Sequence, residues 1–320
     1  MSDPDQNSDG TPRRPESAAG AELRGGANPA NDAPFGGTTD GLTGSPAAET
    51  PAETLPAATV PFAAYPEDLR APWGWLDIVI FVLLAVCGQL VLDTVMLGAA
   101  VSLGYTKADP VAIQKFATTS AGFVTLRQVI LWSVMMGYLY YALRGRSAEG
   151  FWRMLGWRRL RIEGVPPRTV YWAFALSGVP LAYVVSLLSG LAQPKDRLPI
   201  EAFFQDPRSV ILLSAMGILV APLAEEMVFR GFLYPVLARS LGVAGGVIVT
   251  GVLFGLLHAQ QLEGGRAQIF LLVLVGVLFT AVRARMKSVT ACYLLHLGYN
   301  SFLFLGFFLA TDFLRKIPPR

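Results

Sequence analysis

Seven apolar stretches separated by short polar connections occupy most of the chain. They run from about Trp75 to Leu103, Phe123 to Leu143 and Tyr171 to Leu191, then from Ser209 toward Pro222, Leu241 to His258, Gln268 to Val282 and Val289 to Ala310. A helix needs about 20 apolar residues to cross the hydrocarbon core, and a spanning backbone must satisfy its own polar groups. The fold class that follows is all-α, a polytopic membrane bundle of about seven to eight helices. The uncertainty of one sits at Pro222, whose missing N–H and ring clash favour a kink or a new helix start. Gln268 to Val282 is short, roughly 22 Å at 1.5 Å per residue, so it must borrow flanking residues or sit where the bilayer is thin. Hydrophobic residues make up 53% and charged residues 15% of the chain, which excludes an ordinary soluble domain.

Residues 1–70 differ sharply, being rich in Ala, Pro, Gly, Ser, Thr and Asp with few large apolar side chains. Such a segment cannot bury enough surface to offset the entropy of ordering, and it is expected to be a disordered cytoplasmic tail. Residues 71–320 then form the transmembrane domain. No charged n-region followed by an apolar h-region opens the sequence, so the first span is expected to act as an uncleaved signal.

Arg144, Arg146, Arg153, Arg158, Arg159, Arg161 and Arg168 crowd one connection, which the positive-inside rule assigns to the cytoplasm. That placement accounts for the basic residues, and no nucleic-acid partner is expected. The expected location is a bacterial inner (plasma) membrane with a cytoplasmic N-terminus. Phe151 to Arg159 mixes aromatic and basic residues as membrane-surface anchors do. Asp77, Asp93 and Arg127 read as interfacial or inter-helix contacts. Cys87 and Cys292 are far apart, without ligand spacing, and read as small core residues.

Ionisable groups at membrane depth are expensive and point to function. Glu225-Glu226-Met227-Val228-Phe229-Arg230 places two carboxylates and a guanidinium in an apolar stretch. On a helix Glu226 and Arg230 stand at i and i+4 with the acid first, the favoured order for an ion pair. Glu225 is rotated about 100° from them. One carboxylate has a built-in counter-ion, and the other is left to take a proton from water. Glu225 is therefore assigned to catalysis and Glu226 with Arg230 to structural support.

The chain has only two histidines, and both lie in apolar runs. Phe254 precedes His258 by one turn, where its ring can pack on the imidazole, and His296 precedes Asn300 by one turn on a common face. An imidazole and an amide N–H aimed at one point can stabilise an oxyanion, while the other imidazole orients water beside Glu225. Glu225, His258 and His296 can instead hold a divalent metal such as zinc. The metal-free use is favoured because His296 has an amide neighbour suited to an oxyanion hole, so no cofactor is expected.

Taken in order, Glu225-Glu226-x-x-x-Arg230, Phe254-x-x-x-His258 and His296-x-x-x-Asn300 resemble the motifs of the intramembrane proteases of the CPBP (Abi) family. That family is named for CAAX prenyl protease 2 and bacteriocin-processing proteins. The resemblance covers about residues 209–310. It implies a helical core with a polar cavity and cleavage of membrane-associated, in some members prenylated, protein substrates. It further implies that Glu225 activates water with His258 as partner, and that His296 and Asn300 stabilise the oxyanion. The family has been described both as metalloproteases and as glutamate proteases. The alternative from a different class is a non-catalytic membrane scaffold or bacteriocin-immunity protein binding peptides in the same cavity.

Overall fold

The computed structural model of the chain describes residues 64–192, 206–262 and 265–315. The tail expected over residues 1–70 lies outside them up to position 63. Ten α-helices follow one another: α1 (Trp75–Ser102), α2 (Pro110–Thr119), α3 (Ala121–Leu143), α4 (Phe151–Met154), α5 (Pro167–Leu191), α6 (Pro207–Ala215), α7 (Ala221–Glu226), α8 (Tyr234–Leu257), α9 (Arg266–Met286) and α10 (Val289–Ala310). Among the described residues there is no β-strand. The protein is an all-helical integral membrane bundle, with six helical runs long and apolar enough to span a bilayer. Leu76, Leu83, Leu90 and Val91 stay exposed on α1, as side chains facing lipid tails would be.

One of those runs, Pro207–Leu257, is 51 residues long, far beyond what a membrane core of about 30 Å requires. Gly242, at φ 74° and ψ 165°, breaks it. Beyond the break the chain folds back, because a Cβ on Gly246 would lie 2.7 Å from the Ala238 backbone, a contact impossible across eight residues of straight helix. The seven apolar stretches read from the sequence are thus all present, two of them joined at this reversal. Before it the helix is loosened twice, by π-helical turns at Met216–Val220 and Met227–Leu233. The span expected to be short gains both flanks and runs over the 21 residues of α9.

Close packing positions the motif-bearing helices. Gly251 and Gly255 on α8 face Val277 and Val273 on α9, where a Cβ would come within 2.4 and 2.5 Å of them. Gly298 on α10 lies so close to the Ala175 carbonyl of α5 that no side chain fits between. These small residues let backbones approach where lipid offers no hydrophobic drive for helix association. Phe279, Val275, Leu295, Tyr299 and Ala182 form one buried cluster where α5, α9 and α10 meet.

Residues 64–74 pack on the same body. A 3-10 turn at Glu67–Leu69 leads into Ala71 and Trp73, both buried. Arg239 donates to the carbonyls of Leu69, Ala71 and Trp73, and Trp73 Nε1 donates to the Phe232 carbonyl at 2.8 Å. The folded body therefore begins ahead of residue 71. At this end Val289 N–H meets the Gly156 carbonyl at 2.8 Å, and Ser288 donates to the Arg158 carbonyl. The Arg-rich connection and the Arg283–Lys287 connection thus share one end of the bundle, as the positive-inside reading requires. Asp93 pairs with Arg127 at 3.2 Å between α1 and α3, and Asp77 with Arg146 at 2.8 Å ties α1 to the connection that follows α3. Cys292 is buried, whereas Cys87 is exposed on α1 rather than in a core.

Candidate active site

The site is assembled from α7 and its following π-turn, the C-terminal end of α8, α9, and α10. His296 lies two turns into α10, on the order of 10 Å from its start. Arg230 anchors the cluster and is fully buried. Its Nη1 donates to Glu226 Oε1 at 3.0 Å, its Nη2 to the Gly276 carbonyl at 3.1 Å, and its Nε to Thr280 Oγ1 at 3.3 Å. Phe254 lies 4.4 Å, Phe279 5.4 Å and Phe229 5.8 Å from its guanidinium. A desolvated cation inside an aromatic box with three acceptors is held in one place.

Glu226 does more than pair with Arg230. Its Oε1 also accepts from His296 Nδ1 at 2.9 Å, while Oε2, equally buried, has no hydrogen-bond partner. A carboxylate only accepts, so the His296 Nδ1 that faces it carries a proton, and Nε2 is the ring nitrogen turned the other way. His258 is oriented in the same sense: Nδ1 lies 2.8 Å from the Phe254 carbonyl, which leaves Nε2 as the lone-pair atom. The Phe254 ring packs against His258 at a tilt of 50° with centroids 4.9 Å apart, as the one-turn spacing suggested.

Both free nitrogens converge on Glu225. His258 Nε2 is 3.9 Å from Oε1 and His296 Nε2 is 3.8 Å from Oε2. These separations exceed direct hydrogen bonds and suit an intervening water. Glu225 and His258 keep 16% and 19% of their side-chain surface exposed, against 5% for His296 and 0% for Glu226. The accessible pair can meet a substrate, and the shielded pair supports it from behind.

Of the residues expected in the site, Glu225, Glu226, Arg230, Phe254, His258 and His296 come together. Asn300 shares the His296 face of α10, but its Nδ2 donates to the Gly217 carbonyl at 2.6 Å. The separate duties expected of the two imidazoles are not visible as separate positions, since both flank Glu225 nearly equally. Sequence reasoning missed Phe279, whose ring lies 4.9 Å from that of His296, and Thr280 and Gly276, which hold Arg230. No spacing in α9 signals them, because a carbonyl and a hydroxyl become partners only when helices dock.

Two imidazole nitrogens and a carboxylate are also a hydrolytic zinc donor set, and acceptors on both Nδ1 atoms are what such ligands carry. Among the described residues, however, no group of three or more His, Cys, Asp or Glu has the geometry to hold a metal ion. Leu223, Ala224 and Met227, neighbours of the carboxylates in sequence, join Trp132, Met136 and Val220 in lining an apolar groove of about 480 Å³ that neither carboxylate nor either histidine lines.

Fold and site together define a helical integral membrane protein with a carboxylate and two oriented imidazoles inside the bundle. Residues 207–302 match the family described as Type II CAAX prenyl endopeptidase, Rce1-like, in agreement with the resemblance carried by the three motifs. That match covers the site-bearing helices from α6 into α10. No curated protein and no solved structure matches the chain.

Proposed function

We propose that the chain is an intramembrane endopeptidase that hydrolyses peptide bonds of membrane-associated protein or peptide substrates, including lipidated ones. The observation that carries this reading is the convergence of Glu225 with two imidazoles whose Nε2 atoms face it. A water between them can be deprotonated by Glu225 while Nε2 of His258 accepts its second hydrogen, which fixes the nucleophile's lone pair. Attack on the scissile carbonyl forms a tetrahedral oxyanion. A His296 that enters the cycle with a proton taken from bulk water on Nε2, and keeps it throughout, is an imidazolium backed by Glu226, and its Nε2–H stabilises that charge in a water-poor site. The protonated Glu225 then gives its proton to the leaving amine. The apolar groove lined by Leu223 and Ala224, which precede Glu225 in sequence, suits a lipid or apolar side chain that holds the substrate at membrane depth.

The reading takes no metal in the catalytic step. The location proposed is a bacterial inner membrane with the N-terminus cytoplasmic, consistent with the basic connections gathered at one end of the bundle.

The test is cleavage of a membrane-anchored peptide by the full chain in lipid nanodiscs. Glu225→Gln is expected to lose at least about 10³-fold in kcat while binding the peptide and unfolding at an unchanged temperature. Turnover retained in that variant overturns the assignment. Protein stripped with a chelator and shown metal-free by elemental analysis is expected to keep full activity, and loss restored by zinc would replace the water mechanism with a metal-assisted one.

A further inference from the structure

We infer that Asn300 is a positioning residue: through the Gly217 carbonyl it holds the π-turn ahead of Pro222 that aims Glu225. This rests on the hydrolytic reading of Glu225. In the π-turn at Met216–Val220 each carbonyl looks five residues ahead for its donor, and the Met216 carbonyl finds the Ala221 N–H. The next acceptor, Gly217, would look to residue 222. That residue is Pro222, which has no N–H to give. A backbone carbonyl would thus be left unpaired inside an apolar span, where water does not replace the lost bond. Asn300 Nδ2 supplies the missing donor at 2.6 Å.

The close approach this bond needs is built into both elements. A Cβ at position 217 would lie 2.8 Å from the Phe304 ring. Phe304 stands one turn beyond Asn300, so both residues of that α10 face meet the Gly217 backbone. Glu225 follows Pro222 by three residues, less than one turn, so its direction is set by how the π-turn ahead of Pro222 is wound. The same helix, α10, carries His296 one turn before Asn300. A single helix therefore presents the imidazole that Glu225 must face and the amide that fixes the π-turn ahead of Glu225.

The role separates from oxyanion binding by a double-mutant cycle. Pro222→Ala restores the N–H that Gly217 lacks and makes the Asn300 amide dispensable. In nanodiscs, Asn300→Ala is expected to lower kcat by about 30-fold with KM changed less than about threefold, and Asn300→Ala with Pro222→Ala to recover at least about tenfold of it. A double variant as slow as Asn300→Ala alone overturns the inference and places the amide on the reacting carbonyl. Hydrogen exchange of the 216–226 segment supplies a readout free of activity. It is expected to speed up in Asn300→Ala and to return in the double variant, and unchanged exchange also overturns the inference. Should Pro222→Ala not fold, Asn300→Asp decides, since it keeps the size and loses the donor: slow turnover with fast exchange supports positioning, and slow turnover with wild-type exchange sinks it. If the unaltered chain never cleaves a peptide, the enzymatic reading fails and exchange alone decides what Asn300 does.

Discussion

A histidine inside a membrane helix has a defined chemistry only when something fixes which nitrogen carries its proton. Here the Glu226 carboxylate does so for His296 and the Phe254 carbonyl for His258, leaving both Nε2 atoms toward Glu225. Glu226→Gln should therefore harm more than stability: an amide can present its NH₂ to Nδ1 and invert the tautomer. We expect a fall of at least about 100-fold in kcat, larger than the change in KM, with a thermal midpoint measured in the same nanodiscs lowered as well. Arg230→Met leaves Glu226 buried without its cation, a loss on the order of 3–5 kcal/mol, expected as failure to accumulate folded protein. The Glu226–Arg230 pair was legible from i, i+4 spacing alone. The bond from Glu226 to His296 was not, because 70 residues separate them and only docking of α10 on α7 brings them to 2.9 Å.

At the level of elements, the apolar runs told where helices lie, and Pro222 was legible as a side chain that cannot donate, though the helix runs on through it from a π-turn rather than breaking there. What the runs could not tell is that Pro207–Leu257 folds back on itself, since Gly242 and Gly246 look like ordinary small residues until the reversal needs a left-handed φ and a bare backbone. The pairing of α5 with α10 is equally hidden. It depends on Gly298 meeting the Ala175 carbonyl, and a Cβ there has nowhere to go. Gly298→Leu is expected to separate the two helices and shift His296 away from Glu225. Both folded yield and cleavage should then fall, while the same substitution at Gly98, which has open space around it, should leave both within about twofold. The equal sensitivity of both sites would show that α5–α10 contact does not position α10.

Across the whole molecule, the segment around Glu67–Trp73 ties the start of the described chain to the helices bearing the site. Arg283, buried and bonded to Asp68 at 3.1 Å, also donates to the Arg230 carbonyl at 3.2 Å, so the strap reaches the residue that anchors Glu226 through one side chain. Asp68→Asn leaves that cation with weaker partners and is expected to cost about 2 kcal/mol, measurable as a lower thermal midpoint. The outermost tie is pH-dependent. The Arg158 guanidinium hydrogen-bonded to Glu67 at 2.7 Å, helped by the charges of Arg158, Arg153 and Arg70, holds the Glu67 carboxyl below the usual carboxylate range. A depressed folded-state value means that this contribution is present above the ordinary carboxylate range and is lost as pH falls through the lowered value. Melting curves from about pH 6 to about pH 3 should therefore drop more steeply for the unaltered chain than for Glu67→Gln, and parallel curves would remove the strap from the acid response.

By itself the sequence determined the solvent this protein folds in, the helical class, and the residues that carry charge into the bundle. Each of these follows from local chemistry: the length of an apolar run, the cost of burying an ion, the spacing that puts residues one turn apart. Only the tertiary structure decided that Glu226 serves a histidine as well as an arginine, that both imidazoles turn Nε2 to Glu225, and that the Asn300 amide meets the Gly217 carbonyl. These are relations between helices remote in sequence, set by where glycines allow backbones to touch, and no periodicity within one helix encodes its partner.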